Sequence, residues 1–406
     1  MPRIYLDNAA TTPLRAEALD AMLPFLRGDY ANPSSTHSSG QRARHALDVA
    51  HETVAAAIGA KPSEIIFTGS GSEADCLAIF GIMDANRARG NHFVTSAIEH
   101  HAVLHAADAL AKRGARISVL PVDADGFVDA DALRDAIGDD TVLVSIMHAN
   151  NEIGTIQRLK QLAAIARERG ALVHTDAIQT VGHVPVDVSD LGVDALSLSA
   201  HKFEGPKGMG ALYLRKSVAC TPLIVGGGQE NGKRAGTENV AGIVGLSTAL
   251  ACAMDELSEF EARASRLRDR LADGALASIA GSARNGPRAQ TLPGIANLRF
   301  DRVDAQTVVI ALDQEACDVS TGSACTSGAL EPSHVLTAIG LTPAQARGSI
   351  RFSLGRSTAA QDIERLLVVL PGIIERLRTL SHVLLAEATT APGRPGLERP
   401  RRGSAH

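Results

Sequence analysis

Short apolar runs rich in β-branched residues alternate with longer Ala/Leu/Arg stretches of helical period along most of this chain. The runs are "EIIFTG" (64–69), "HFVTSAIEH" (92–100), "RISVLPV" (116–122), "TVLVSIMHAN" (141–150), "ALVHTDAIQT" (171–180), "ALSLSAHK" (195–202) and "GALYLRK" (210–216). Between them, Glu73–Arg89, Val103–Arg113 and Leu159–Arg169 read as helices. Strands that are apolar throughout and separated by helices pair in parallel and are covered on both faces. The pattern therefore predicts an α/β fold with a mostly parallel sheet. Ligands on such sheets gather beyond the carboxyl ends of the strands. Ser70–Glu73, Glu99–His100, Asn150–Asn151, Asp176–Gln179 and Ser199–Lys202 all fall there, and that edge is the expected site.

A Glu/Arg-rich helix over Ala249–Leu271 leads out of this region, and from "TLPGIANLRF" (291–300) to about His382 the chain mixes strands and helices again, enough for a small α+β domain. We expect a large domain over 16–256 and a small one built from 1–15 with 257–386. Residues 387–406, which end in "TTAPGRPGLERPRRGSAH", have little to bury and are expected to be a disordered tail.

Composition narrows the function classes. A net charge of −5 gives no global pull toward nucleic acid or a membrane. The start "MPRIYLDNAATT" lacks the apolar core of a signal peptide and no run is long enough to span a bilayer, so a cytoplasmic location is expected. Cys76, Cys220, Cys252, Cys317 and Cys325 form no C-x-x-C pair, which fits free thiols in a reducing compartment. In "EHHAVLH", His101 and His105 have the i, i+4 spacing of zinc sites, but no glutamate lies between them and no partner cluster is evident; no metal is expected.

Six stretches carry candidate chemistry. In "TGSACTSG", Cys325 sits among residues too small to bury it, which suits either a reactive thiol or a solvent-facing loop. In "SAHKFEGPKG", Lys202 ends an apolar strand, where a cofactor aldehyde would give its amine a purpose; a lysine reaching to solvent is the plain alternative. In "VHTDAIQ", Asp176 is placed to hold a proton on a pyridine nitrogen, an attraction of roughly 5 kcal/mol at ~3 Å and an effective dielectric near 20 before desolvation, or else to cap a helix. "FTGSGSEAD" offers backbone N–H groups, the Ser72 hydroxyl and a helix N-terminus to a phosphate. The same stretch matches G-x-G-x-x-A through Gly69, Gly71 and Ala74, with Glu99 where a ribose-binding acid would sit, so a dinucleotide site stays open. His100, in "SAIEHHAVL", suits ring stacking and proton transfer or a plain surface role. Arg351, in "SIRFSLGR", suits a carboxylate clamp or a surface strand.

Taken together, "YLDNAATTPL", "NPSSTHSSG", "MHANNEIGT", "HTDAIQTVG", "SAHKFEGPKG", "KRAGTENVAGIVGL", "TGSACTSGALEPSHV" and "IRFSLGR" resemble, in order and spacing, the cysteine desulfurases of the class V aminotransferase group, which are fold type I enzymes using pyridoxal 5'-phosphate (PLP). The resemblance runs from residue 5 to about residue 382, and "RAGTEN" and "SGALEPSHV" look most like the nitrogenase-associated branch. It implies that Lys202 binds the cofactor aldehyde and later moves the Cα proton. It places His100 on the ring, Asp176 at the pyridine nitrogen, and Asn151 and Gln179 toward the ring hydroxyl. Gly71, Ser72, Ser199 and His201 would hold the phosphate, joined by Thr237 from the other subunit of a homodimer. Ser72 replaces a threonine common in the family and keeps the hydroxyl. Arg351, with Asn151, would bind L-cysteine. Cys325 would take the sulfur as a persulfide, His100 would help deprotonate it, and an iron–sulfur scaffold or another acceptor protein would receive the sulfur. A cluster transiently ligated by Cys325 with that scaffold is part of the same implication. Another PLP lyase or aminotransferase, and a non-catalytic sulfur-carrier scaffold, are the alternatives.

Overall fold

The computed structural model of the chain describes residues 2–321 and 332–390. Twelve strands are described among them. The first is β1 (Ile4–Tyr5); β2 (Ile65–Thr68), β3 (His92–Ser96), β4 (Arg116–Leu120), β5 (Thr141–Ser145), β6 (Leu172–Asp176), β7 (Ala195–Ser199) and β8 (Gly210–Leu214) follow. The last four are β9 (Ser282–Asn285), β10 (Ile295–Phe300), β11 (Cys317–Asp318) and β12 (Ser349–Ser353).

The seven apolar runs become the seven strands of one sheet, in the order β2-β8-β7-β6-β5-β3-β4. All run parallel except β8, which is antiparallel to both β2 and β7. β2, β3, β5, β7 and β8 are buried at every position, as strands covered on both faces must be. One face packs beneath Gly71–Ala85 and His101–Lys112, the other beneath Leu159–Glu168 and Val240–Asp255. The parallel strands place Ser70, His100, Asn151, Asp176 and Lys202 along a single edge.

The stretch read as one helix over Ala249–Leu271 is two, Val240–Asp255 and Leu257–Ser278, meeting at Glu256 with a bend of 70°. The Glu256 carboxylate accepts from Arg15 Nη2 (2.7 Å) and Arg356 Nε (3.0 Å), and Arg356 also donates to the Gly182 and Ala253 carbonyls. These charge-assisted bonds hold the corner where the core helix ends and the amphipathic one begins. Among the described residues no single helix is long and apolar enough to cross a membrane.

A separate apolar core gathers Ile4 and Leu6 with Leu271, Leu298, Phe300, Leu312, Phe352 and Leu370. Its sheet is antiparallel, β12-β10-β9, and β1 pairs with β11 in parallel. The helix Ala360–Thr390 runs four residues into the stretch expected to be a tail, consistent with the helix-favouring residues of "LLAEA"; residues 391–406 lie outside the described residues. Asp7 to Thr12 passes from this second core to the main sheet. Asn8 N–H donates to the Ser353 carbonyl, and Thr12 N–H to the His201 carbonyl.

Candidate active site

The Asp7–Ala10 segment receives three of the predicted site residues at once. Lys202 leaves β7 through a single tight turn (Ala200–Lys202), and its Nζ donates to Ala9 O at 2.6 Å and Ala10 O at 2.8 Å. Gln179 Nε2 also donates to Ala9 O, at 3.0 Å. Arg351 lies on β12, but not on a surface strand: every residue of β12 is buried, and Arg351 is 2% exposed. Its Nη2 donates to Asp7 Oδ1 (2.9 Å) and its Nη1 to the Asn151 carbonyl (3.1 Å). Its Nε is buried with no hydrogen-bond partner. A buried guanidinium with one N–H still unused suits a carboxylate.

Asp176 ends β6, 4% exposed, and its Oδ1 accepts the Ile178 N–H at 2.9 Å. Burial pushes its carboxyl upward, to about 6, against the opposing pull of that N–H and of Lys202. A carboxyl with raised proton affinity fits a partner that shares the proton, as a pyridine nitrogen does.

His100 caps the helix His101–Lys112, its Nδ1 accepting the Ala102 N–H at 3.1 Å. Burial and the nearby Lys202 lower the ring to about 4, so it is neutral at pH 7. With Nδ1 occupied as an acceptor, the proton belongs on Nε2. The resting imidazole therefore presents an N–H at Nε2, and taking up a second proton would cost the cap. Cys325 itself lies outside the described residues.

The phosphate side is a cradle of small residues. A Cβ on Gly71 would lie 2.3 Å from Ile178 Cδ1 and 3.1 Å from Ser199 Cβ, and one on Gly210 would lie 2.5 Å from the Ser70 carbonyl carbon. Ser70 caps the helix Gly71–Ala85, whose first N–H groups at Gly71 and Ser72 suit an anion. His201 Nδ1 stands 3.1 Å from Thr11 Oγ1, and burial, reinforced by Lys202, lowers its ring to about 4. Thr237 is exposed on the loop before Val240–Asp255.

Glu99 does not face this site. It is 1% exposed, its Oε1 accepts from Ser96 Oγ (2.6 Å) and Met147 N–H (2.9 Å), and burial raises its carboxyl to about 8. A neutral acid turned inward cannot read a ribose, and the dinucleotide reading falls with it. His101 stacks on His105 and meets His334, yet among the described residues no group of three or more His, Cys, Asp or Glu could hold a metal. Sequence reasoning missed Asp7 and the carbonyls of Ala9 and Ala10; the Asp-Asn pair opening "DNAATT", ahead of residues with nothing large to bury, was the available signal.

The chain matches the aminotransferase class-V family over residues 4–366. It is 52% identical to cysteine desulfurase IscS of Dictyoglomus turgidum, over 93% of this chain and 96% of that one. A solved NifS-like protein superposes with a TM-score of 0.87 at 37% identity, covering 92% of this chain and 100% of the other. SspA, solved in complex with cysteine, superposes with a TM-score of 0.77 at 37% identity, over 86% and 98%. The chain belongs to the aminotransferase class-V family of PLP enzymes, with the fold type I architecture. Within it, the chain belongs to the cysteine desulfurases of the IscS and NifS type.

Arg351 yields the first prediction. Arg351→Met should lower kcat/KM for L-cysteine about 10²- to 10³-fold, the usual cost of truncating one partner of a buried charge pair. Cysteamine, which lacks the carboxylate, should be processed no worse by the variant than by the wild type. Equal losses on both compounds would mean that Arg351 holds Asp7 and the fold, and does not hold substrate.

Proposed function

We propose that the protein is a homodimeric, cytoplasmic enzyme that converts L-cysteine to L-alanine, stores the sulfur on Cys325 and delivers it to iron–sulfur cluster assembly. The observation that carries this reading is the Asp7–Ala10 segment, which receives Lys202 and Arg351 together and so joins a cofactor lysine to a carboxylate clamp. We assign residues 16–256 to a large cofactor-binding domain and 1–15 with 257–386 to a small one, each with its own apolar core.

Bound PLP would supply an electron sink conjugated with the substrate Cα. The chain does the rest. Gly71, Ser72, Ser199 and His201, with Thr237 of the partner subunit, hold the phosphate. Asp176 keeps a proton at the ring nitrogen, while Asn151 and Gln179 lie toward the ring hydroxyl. Arg351 seats the substrate carboxylate, Lys202 moves the Cα proton at Nζ, and His100 stacks on the ring and assists proton transfer. The overall step balances: the substrate Cβ–Sγ bond breaks, an S–S bond forms to Cys325, and the electron pair with a proton goes to Cβ, leaving alanine and a Cys325 persulfide. The blocks "RAGTEN" and "SGALEPSHV" support the nitrogenase-associated branch.

Alanine and sulfide release by the purified holoenzyme, measured with a thiol reductant, tests the reading. L-Cysteine should give the two products in equal amounts, and other amino acids should give neither pyruvate nor amino-group transfer. Pyruvate from cysteine, or turnover of another amino acid alone, would favour a different lyase or aminotransferase on this fold.

A further inference from the structure

The loop that carries Thr237 is tied to its own subunit's phosphate turn by one carboxylate. Glu73, in the first turn of Gly71–Ala85, folds back so that its Oε2 accepts the Gly69 N–H at 2.8 Å, while its own N–H reaches Ser70 Oγ at 3.1 Å. Its other oxygen, Oε1, accepts from Arg234 Nε at 2.9 Å. Arg234 stands three residues before Thr237. The pair is one-quarter exposed, so its attraction is only partly screened.

A second carboxylate fixes the start of the same loop. Glu230 is buried, and its Oε2 accepts the Phe67 N–H at 3.0 Å, capping the sheet edge, and lies 3.2 Å from His51 Nε2. Glu230 and Asn231 hold φ values of +48° and +54°, a strained left-handed backbone for residues other than glycine. Gly236, at φ +106°, turns the chain immediately before Thr237, and its N–H donates to Gln229 Oε1. A cavity of about 250 Å³ lies between the loop and the strand–turn unit, lined by Thr68, Gly69, Gly208, Gly236 and Thr237 among others. The loop therefore does not rest on the turn; it touches it through specific polar links. Strain held by such links points to a geometry that matters at the tip.

We propose that Glu73 and Arg234 are positioning residues that set the Thr237 loop so that its hydroxyl meets the partner subunit's cofactor phosphate. This rests on the reading above, that Thr237 crosses a dimer interface. Glu73 is suited to the task because the oxygens of one rigid carboxylate engage both Gly69 and Arg234. The phosphate turn of one subunit is thus the template against which the loop serving the other is built.

Equilibrium titration of the full-length apoprotein with PLP, read by absorbance of the bound cofactor, tests this with Thr237→Val, Arg234→Met and the double variant. Thr237→Val should weaken PLP roughly tenfold and Arg234→Met roughly fivefold, sizes expected for the net contribution of one hydrogen bond. If Arg234 acts through Thr237, the double variant should be no more than about twofold weaker than Thr237→Val alone, because contributions through a shared contact do not add. Glu73→Gln, which keeps an oxygen for the Gly69 N–H and removes the charge that binds Arg234, should match Arg234→Met. Losses that multiply, or wild-type affinity in both Arg234→Met and Glu73→Gln while Thr237→Val is impaired, would overturn the proposal alone. Wild-type affinity in Thr237→Val would overturn the cross-subunit reading and the proposal with it. Unchanged apoprotein unfolding temperatures would confirm that the variants fold.

Discussion

Lys202→Ala should stop alanine formation, with a loss of at least about 10⁴-fold, because it removes both the anchoring amine and a positioned proton carrier. The fold should survive. Lys202 leaves a buried strand through one short turn, and the main chain there is fixed by bonds the side chain does not make, such as Phe203 N–H to Ala200 O. What the variant loses is the ammonium shared by Ala9 O and Ala10 O, at about 1–3 kcal/mol for groups left without a donor, less where water reaches them. Borohydride treatment separates the outcomes. In the wild type it should fix PLP to the peptide containing Lys202, and in the variant to no peptide, even though the phosphate cradle and Asp176 still retain the cofactor. Fixation at another lysine, or activity above one-hundredth of wild type, would show that Lys202 is not the anchoring amine.

Much of this arrangement was legible in the sequence because the sheet is covered on both faces. Burial on both sides forces continuous apolar runs, and all seven runs became strands of one sheet. The polar residues that close β2, β3, β5, β6 and β7 then had to share an edge, since parallel strands all end on one side. The bend at Glu256 was less readable. Helical period continues through "MDELSEF", and the corner depends on Arg15 and Arg356, which are distant in sequence. The role of Asp7–Ala10 was hidden for a different reason: its working atoms are mostly main-chain carbonyls, and any residue supplies a carbonyl. The inward turn of Glu99 likewise depends on the Met147 N–H, a contact made only after β3 and β5 pair. Arg351 looked like half of an alternating strand, yet β12 is buried at every residue, with Asp7 bridged to Ser353 and Ser320 to Arg351 beside it.

Cys325→Ala should abolish alanine formation, by at least about 10³-fold, while leaving borohydride fixation of PLP at Lys202 intact. Although Cys325 lies outside the described residues, the chain on both sides of it is fixed at the site. Before it, Ser320 and Arg351 exchange main-chain bonds, at 3.2 and 2.7 Å, so the segment departs from the residue assigned to the substrate carboxylate. After it, Ser333 Oγ donates to Glu152 Oε2 at 2.6 Å, and His334 Nε2 lies 2.9 Å from the Glu99 carbonyl, one residue from His100. Twelve residues, 321–332, separate Ser320 from Ser333, and a chain of that length spans at most about 43 Å. A thiol carried on this chain meets the bound substrate intramolecularly, an advantage that a free thiol in solution lacks. About 3% of an ordinary thiol is ionised at pH 7. The site therefore has to help form the thiolate, and His100 is the residue we assign to that help. Sulfur-35 from labelled L-cysteine should appear on the wild-type protein, be released by a thiol reductant, and be absent from the variant. Label that persists on Cys325→Ala, or alanine formed at the wild-type rate, would move the acceptor to another group and leave this thiol without its assigned work.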